Sequence, residues 1–323
     1  MKAFFKNIQS FFRIKPECSG ISILTYHGLV NEITHTRLQR NFHTIEQFEA
    51  HILYLKKKKF KFLNAMVLLH FIENPKEIKT RKMVCITFDD GYQNNLKAIE
   101  ILEKNAVSGT FFISSDSINA ATSIWTVNLS LLVLEGSLSS IVFLEEEHSL
   151  ATYELRLQAF NAIRNFLKKV PSEIRNELFN QILNQFPKNE LEHLVAKHDY
   201  FKMLTWDEIR SVQNSNIQFH SHGHFHEIHN QEQNAITLKN EILTSKKVIE
   251  ENLNKDVFLF AYPNGNYNTN SVTFLNEAGY KGALVLGEAK YTPVSNKFSI
   301  PRITPNRKFN KFKKINTNIL DAI

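Results

Sequence analysis

Cysteine is nearly absent: Cys18 and Cys85 are the only two in 323 residues, far apart and in no motif. That excludes a disulfide framework and gives no sign of an oxidising compartment. No stretch approaches 18 consecutive apolar residues, so no transmembrane helix is expected. The opening MKAFFKNIQSFFRIK has basic flanks but no apolar core of signal-peptide length and no small-residue cleavage site. Glycine (10) and proline (8) are sparse and nothing is low-complexity, so a linker-rich or repetitive chain is excluded too. What remains, with 43% hydrophobic residues, can bury a sizeable core as one large α/β domain or two smaller ones. The expected location is cytoplasmic, with peripheral attachment at the inner membrane surface left open.

Acidic residues are the minority charge, 32 against 39 basic, for a net charge of +7. The basic clusters are LKKKKFKF (55–62), KFNKFKK near the C-terminus, and a scatter in the first fifteen residues. No nucleic-acid-binding module accompanies them, so no nucleic-acid partner is expected. They read as a solvated helix end and a basic tail (311–323), or as contacts to an anionic membrane surface. Read as a helix within an N-terminal segment 1–20, Phe4, Phe5, Ile8, Phe11 and Phe12 share one face. Such a helix either docks on its own domain or lies on a membrane. The oligomeric state is not legible.

Strand and helix signals alternate. ISILTYH (21–27), MVCITF (83–88), GTFFIS (109–114), NIQFHS, VFLFAYP, KGALVL and FSIPRI read as strands, and KFKFLN as a shorter one. Between them lie amphipathic helices, two opening with capping boxes at Thr44/Gln47 and Thr205/Glu208. From about 120 to 200 the chain turns mainly helical, which reads as an insertion. Buried strands alternating with helices imply an α/β fold with a parallel sheet, and seven or eight of them suit a barrel. In such a barrel the chemistry gathers at the C-terminal strand ends.

Four strand ends are polar: LTYHG (24–28), ITFDDG (86–91), QFHSHGHFH (218–226) and FAYPNG (260–265). Asp89 and Asp90 form either an exposed turn or a working pair. As a pair they repel unless a cation separates their roles, one carboxylate binding metal and the other facing substrate. His222 and His226 are spaced i, i+4, which brings both rings to one face if the segment turns helical. Two imidazoles and a carboxylate, Asp90, make a three-ligand set for a catalytic divalent metal. His220 reads as packed or supporting, and His224 and His229 as loop or surface residues.

TFDDG, then SHGHFH, then FAYPNGNYN resemble, in order and spacing, the motifs of the polysaccharide deacetylase family (NodB homology domain, carbohydrate esterase family 4). ILTYHGLV, MLTWDEIRSV and GYKGALVL…IPRI resemble the branch containing the biofilm poly-N-acetylglucosamine deacetylases. The likeness spans about Ile21 to Arg302. It implies a distorted β/α barrel of the NodB type over 21–310, interrupted by the helical insertion. It further implies a metal-dependent hydrolase that removes N-acetyl groups from amino sugars of a saccharide or glycolipid. By resemblance Asp89 is the catalytic base, and Asp90, His222 and His226 hold one divalent metal, Zn²⁺ or else Co²⁺, Ni²⁺ or Mn²⁺. The backbone amide of Asn264 helps form the oxyanion hole, and Tyr262, Pro263 and Arg302 contact substrate.

The chain also departs from the family pattern. Ala261 stands where many members have the arginine that orients the base, and Asn264 replaces an aromatic. No histidine follows His229. The general acid must therefore be Asp89 itself, after taking a proton, or another group, for which His27 at the end of an early strand is the candidate. A packed, hydrogen-bonded His27 is the competing reading. Two other functions stay open: a glycosidase using the paired carboxylates, and a degenerate, non-catalytic carbohydrate-binding protein.

Overall fold

The computed structural model describes residues 20–80, 82–287 and 289–318, so the N-terminal helix expected from Phe4 to Phe12 lies outside the described residues. Seven strands form the centre: β1 (Ile21–Tyr26), β2 (Met83–Phe88), β3 (Gly109–Ile113), β4 (Ile217–Ser221), β5 (Leu259–Ala261), β6 (Gly282–Gly287) and β7 (Ile300–Ile303). Each pairs in parallel with the next, and β7 pairs with β1, so the sheet closes on itself. The short strand Lys61–Phe62 pairs with the start of β2 outside this ring. Contact is uneven: β1 and β2 are in register from Ile21↔Met83 to Tyr26↔Phe88, whereas β4–β5 and β7–β1 each meet at one position. The barrel is accordingly distorted, as the family resemblance implies.

Period-2 alternation sorts each strand between two cores. On β2, Val84, Ile86 and Phe88 face outward and pack with Phe48, Ile52 and Leu55 of helix α1 (Ile45–Lys57). Met83 and Cys85 face inward among Ile23, Phe112, Leu284 and Ile300. All six β2 residues are buried, as a strand covered on both faces must be. On β7 the same alternation sends Ile300 inward and Ile303 outward.

Between the strands run α1, α2 (Ala65–Glu73) and α3 (Asn95–Lys104). The Thr44/Gln47 box caps α1, satisfying amide groups that the first turn leaves without partners. Residues 120–200 then form the insertion: α4 (Trp125–Glu135), α5 (Tyr153–Leu167), α6 (Ser172–Leu183) and α7 (Glu190–Lys197). It has its own apolar core, which takes in Phe42, Tyr92 and Phe201 and so seats it on the loops at the C-terminal strand ends. An antiparallel hairpin, Ser140–Phe143 with Glu146–Ser149, interrupts these helices, contrary to the mainly helical expectation. Its turn residues Leu144 and Glu145 both have positive φ, 53° and 66°, which suits a tight hairpin. The second strand, EEHS, is largely exposed and polar and gives no apolar alternation to detect.

The chain returns to the barrel through α8 (Trp206–Val212), capped by Thr205 and Glu208, then α9 (Ala235–Leu253) and α10 (Thr269–Glu277). The segment expected to be a basic tail is helical from the outset, in α11 (Phe309–Asn318), and Phe312 stacks on His51 at 3.7 Å. No helix among the described residues is long and apolar enough to cross a membrane.

Burial holds four histidines neutral. It lowers the pKa of His43 to about 4, and those of His51, His220 and His229 to about 3. Unfolding returns them to ordinary values, so below about pH 6.5 the unfolded chain binds more protons and stability falls as pH falls. Glu241 on α9, raised to about 8 by burial, acts in the opposite direction with one proton against four. Urea unfolding should show a midpoint that falls steadily between pH 7 and pH 5. A flat midpoint over that range would contradict neutral burial of these rings.

Candidate active site

Asp89 continues the inward set of β2 past its end, and Arg302 belongs to the inward set of β7. Both side chains therefore enter the top of the barrel, where Arg302 Nη1 and Nη2 donate to Asp89 Oδ1 and Oδ2 at 2.6 and 2.7 Å. The pair is dry, with Arg302 0% and Asp89 2% exposed. Burial pushes the Asp89 carboxyl up, but the Arg302 guanidinium outweighs it and holds the group below the usual carboxylate range. Below the pair, Thr87 donates to the Leu24 carbonyl at 2.9 Å. Arg302, expected against substrate, is thus sealed behind Asp89. It supplies the guanidinium that Ala261 lacks, from a different strand.

Asp90 leaves the strand direction with φ at 76°, a left-handed conformation rare outside glycine, and Gly91 follows at 93°. This turn aims the Asp90 carboxylate away from Asp89 and toward the loop after β4. There the histidines come together without a helix, since 222–230 is irregular and includes Gly223 at φ 85° and His226 at φ 57°. The helical face suggested by the i, i+4 spacing is not formed. Buried Glu241 shapes the loop instead, accepting from the Phe225 amide at 3.0 and 2.9 Å and from the Glu227 amide at 3.1 Å. Trp125 of the insertion donates its indole N–H to the His226 carbonyl at 3.1 Å.

Asp90, His222 and His226 are all buried and present ligand atoms within 4.8 Å of one another. His222 Nδ1 lies 2.8 Å from the Ala261 carbonyl, so it must carry the hydrogen, and Nε2 is left as a lone pair. Nε2 of His222 and Nε2 of His226 each lie 3.4 Å from the same Asp90 oxygen. The His222 lone pair facing an anionic oxygen is repelled unless a proton or cation stands between them, and a carboxylate with two imidazole nitrogens gathered this closely fits a divalent cation. Burial lowers the pKa of His222, but Asp89 and Asp90 together raise it above the ordinary value, while His226, where burial prevails, is lowered. Burial likewise raises Asp90, but the two rings beside it hold its carboxyl well below the carboxylate range.

One cavity opens onto these groups, lined among others by His27, Asp89, Asp90, His222, His226, Tyr262 and Asn264. His27 is half-buried on its wall with Nδ1 unpartnered among the described residues, and its carbonyl accepts from Asn95. The Tyr262 hydroxyl donates outward to the Phe298 carbonyl at 3.2 Å, so only its ring borders the cavity. Pro263 is buried in the turn Pro263–Gly265, where Asn264 has φ 59°. His229, expected in a loop or at the surface, is fully buried against Phe260 and Tyr262. Four cations also line the cavity, Arg37, Arg40, Arg164 and Lys168. They are scattered in sequence and carry no motif, so sequence reasoning missed them.

A closed parallel barrel with a buried carboxylate and histidine cluster at its strand ends has its chemistry where a barrel enzyme has its active site. The chain belongs to the polysaccharide deacetylase family, whose model matches residues 76–283. It is accordingly a hydrolase of the class that cleaves the amide carbon–nitrogen bond of N-acetylated sugars. No curated protein matches it in sequence. Among solved structures it is similar to the Streptococcus pyogenes deacetylase PplD in complex with acetate, at 16% identity and TM-score 0.60, over 94% of this chain and 97% of that one. IcaB from Ammonifex degensii is similar at 12% identity and TM-score 0.60, over 93% and 97%. A de-N-acetylase from Aggregatibacter actinomycetemcomitans is similar at 15% identity and TM-score 0.56, over 91% and 99%. At these identities the likeness is one of fold.

Removing one partner of a buried ion pair strands the other charge. Arg302→Met should therefore cost about 3–5 kcal/mol in urea unfolding at pH 7, and adding Asp89→Asn should recover part of it. A loss below about 1 kcal/mol would mean the pair does not hold this end of the barrel.

Proposed function

We propose that the protein hydrolyses N-acetyl groups from amino-sugar residues of a saccharide or glycolipid. One divalent cation would be held by Asp90, His222 and His226, with Asp89 as general base. The observation that carries this reading is the division of two adjacent carboxylates, Asp89 kept ionised by Arg302 and Asp90 facing two imidazole nitrogens. A glycosidase would need its two carboxyl groups about 5–9.5 Å apart across a sugar, each able to reach it, whereas Asp90 is turned to the two histidines.

When bound, the cation would supply Lewis acidity, for which zinc suits two imidazoles and a carboxylate, and Co²⁺, Ni²⁺ or Mn²⁺ are the alternatives. The chain's own groups do the rest. Asp89 accepts the proton of the attacking water as its oxygen bonds to the acetyl carbon. Arg302 keeps that carboxylate in one orientation and deprotonated beforehand. The Asn264 amide, in the first turn after β5 and so without a helical acceptor, donates to the developing oxyanion; one such donor is worth on the order of 3 kcal/mol. His27 protonates the nitrogen as the carbon–nitrogen bond breaks, leaving acetate and the free amine. Tyr262 offers its ring as an apolar wall to the sugar.

Metal analysis and turnover together test the division of roles. Asp89→Asn should retain metal and lose most activity. Asp90→Asn and His222→Ala should lose metal first, with activity partly recovered by added metal in the Asp90 variant. Equal metal loss in the Asp89 and Asp90 variants would contradict the assignment.

The role of His27 has its own signature. His27→Ala should lower kcat about 10²-fold on an acetamide with metal retained, and less on an acetate ester, whose leaving group needs protonation less. Equal losses on amide and ester, in a variant of verified folding, would leave His27 as a packing residue only.

A further inference from the structure

Arg37, Arg40, Arg164 and Lys168 line the same cavity as the cluster of Asp90, His222 and His226, yet none has a role in the chemistry above. They come from two separate segments, the turn after the strand Leu29–Val30 and helix α5 with its C-cap. The guanidinium groups of Arg37 and Arg164 each lie 5.2 Å from the centre of the Phe160 ring, so both pack on the same side chain. Their hydrogen bonds go to neutral amides, Arg37 to Asn161 at 2.8 Å and Arg164 to Asn165 at 2.9 Å. Lys168 donates to the side-chain oxygen of Asn264 at 2.6 Å, next to the expected oxyanion amide. Arg164 Nε is buried with no partner among the described residues. None of the four has a carboxylate within ion-pair distance among the described residues.

Like charges gathered without counter-ions repel. Burial and the three arginines lower Lys168 to about 8, and burial with Arg37 lowers Arg40. A solvated surface patch would spread such charges out; here two chain segments bring them to one wall of a reaction cavity. The two acids of the cavity do not balance them. Asp89 is spent on Arg302, and Asp90 faces the histidines. A neutral N-acetylated polymer has nothing to offer this wall. A single carboxylate brings one charge and two oxygens, too few for four cations. A phosphate monoester or a diphosphate brings about two charges and oxygens enough for forked arginine contacts.

We propose that this wall binds a phosphoryl group, phosphate or diphosphate, carried by the acetamido-sugar substrate close to the sugar that loses its acetyl group. The inference rests on the deacetylase reading above and names its substrate class. The position of Lys168 against Asn264 sets the phosphoryl group beside the acetamide rather than several sugars away.

Acetate release should be compared on a neutral N-acetylglucosamine trimer, N-acetylglucosamine 1-phosphate, its short-chain prenyl diphosphate ester, and uridine diphosphate N-acetylglucosamine. At low salt, kcat/KM should favour at least one phosphorylated substrate over the trimer by about 10²-fold, and the preference should shrink as salt is raised. Which of the three leads distinguishes a free sugar phosphate, a lipid-linked sugar and a nucleotide sugar. Arg164→Gln and the more exposed Arg40→Gln should each cut the ratio of phosphorylated to neutral turnover by about 10-fold or more, mainly through KM. Binding is read separately as thermal stabilisation by inorganic pyrophosphate, which wild type should show and the double variant should lose. Acetate from the trimer with equal or better efficiency, or pyrophosphate stabilisation unchanged in the double variant, overturns the phosphoryl inference alone. Acetate from none of the four substrates, with metal bound, overturns the deacetylase reading beneath it.

Discussion

Two adjacent carboxylates at the end of a fully buried strand are the constraint around which this molecule is built. Neither can stay ionised in a dry site without a positive partner, and one partner cannot serve both, because the chain alternates and they point apart. Asp89 is answered by Arg302 across the barrel top, and Asp90 by His222 and His226 from the opposite wall. The first of these answers requires the sheet to close. Arg302 sits on β7, which reaches Asp89 only because β7 and β2 flank β1. The histidines sit on the loop after β4, two strands beyond β2. An open sheet in the same order would leave β7 far from β2.

Much of this could be read from the residues. MVCITF is a continuous apolar run that had to be a central strand, and its bounds match β2 residue for residue. The capping boxes at Thr44 and Thr205 marked helix starts because the chemistry that satisfies free amides is local. The cluster of Asp90, His222 and His226 followed from motif spacing. What escaped was non-local. That Arg302 would meet Asp89 depends on barrel closure over a separation of 213 residues, and no window of sequence contains both. The i, i+4 spacing of the histidines left a helical turn open, and it is Glu241, fifteen residues after His226, that holds the loop in an irregular path. The hairpin at 140–149 was hidden because its second strand is polar on both faces.

The insertion does more than decorate the barrel. Trp125 ties it to the His226 carbonyl, so the histidine loop and the helical layer share a hydrogen bond. Buried Arg175 of α6 pairs with Glu227, the residue after His226, and packs at 4.7 Å on the Trp125 ring. Phe160 and the cations beside it then place α5 over the cavity. The barrel carries the carboxylate and histidine cluster, and the insertion lines part of the cavity above it. A chain could keep its chemistry and change its substrate by altering this layer alone.

The wide separation of Asp89 and Arg302 also has a consequence during synthesis. A ribosome delivers β1, β2 and the apolar half of the barrel long before it delivers β7. Until that last strand docks, collapse of the early strands would trap Asp89 in an apolar setting with no cation to meet it. The emerging chain must therefore keep the top of β2 wet, or hold Asp89 protonated, while the insertion and the later strands are made. Closure of the barrel and ionisation of Asp89 become one event, and the finishing strand acts as the latch for both.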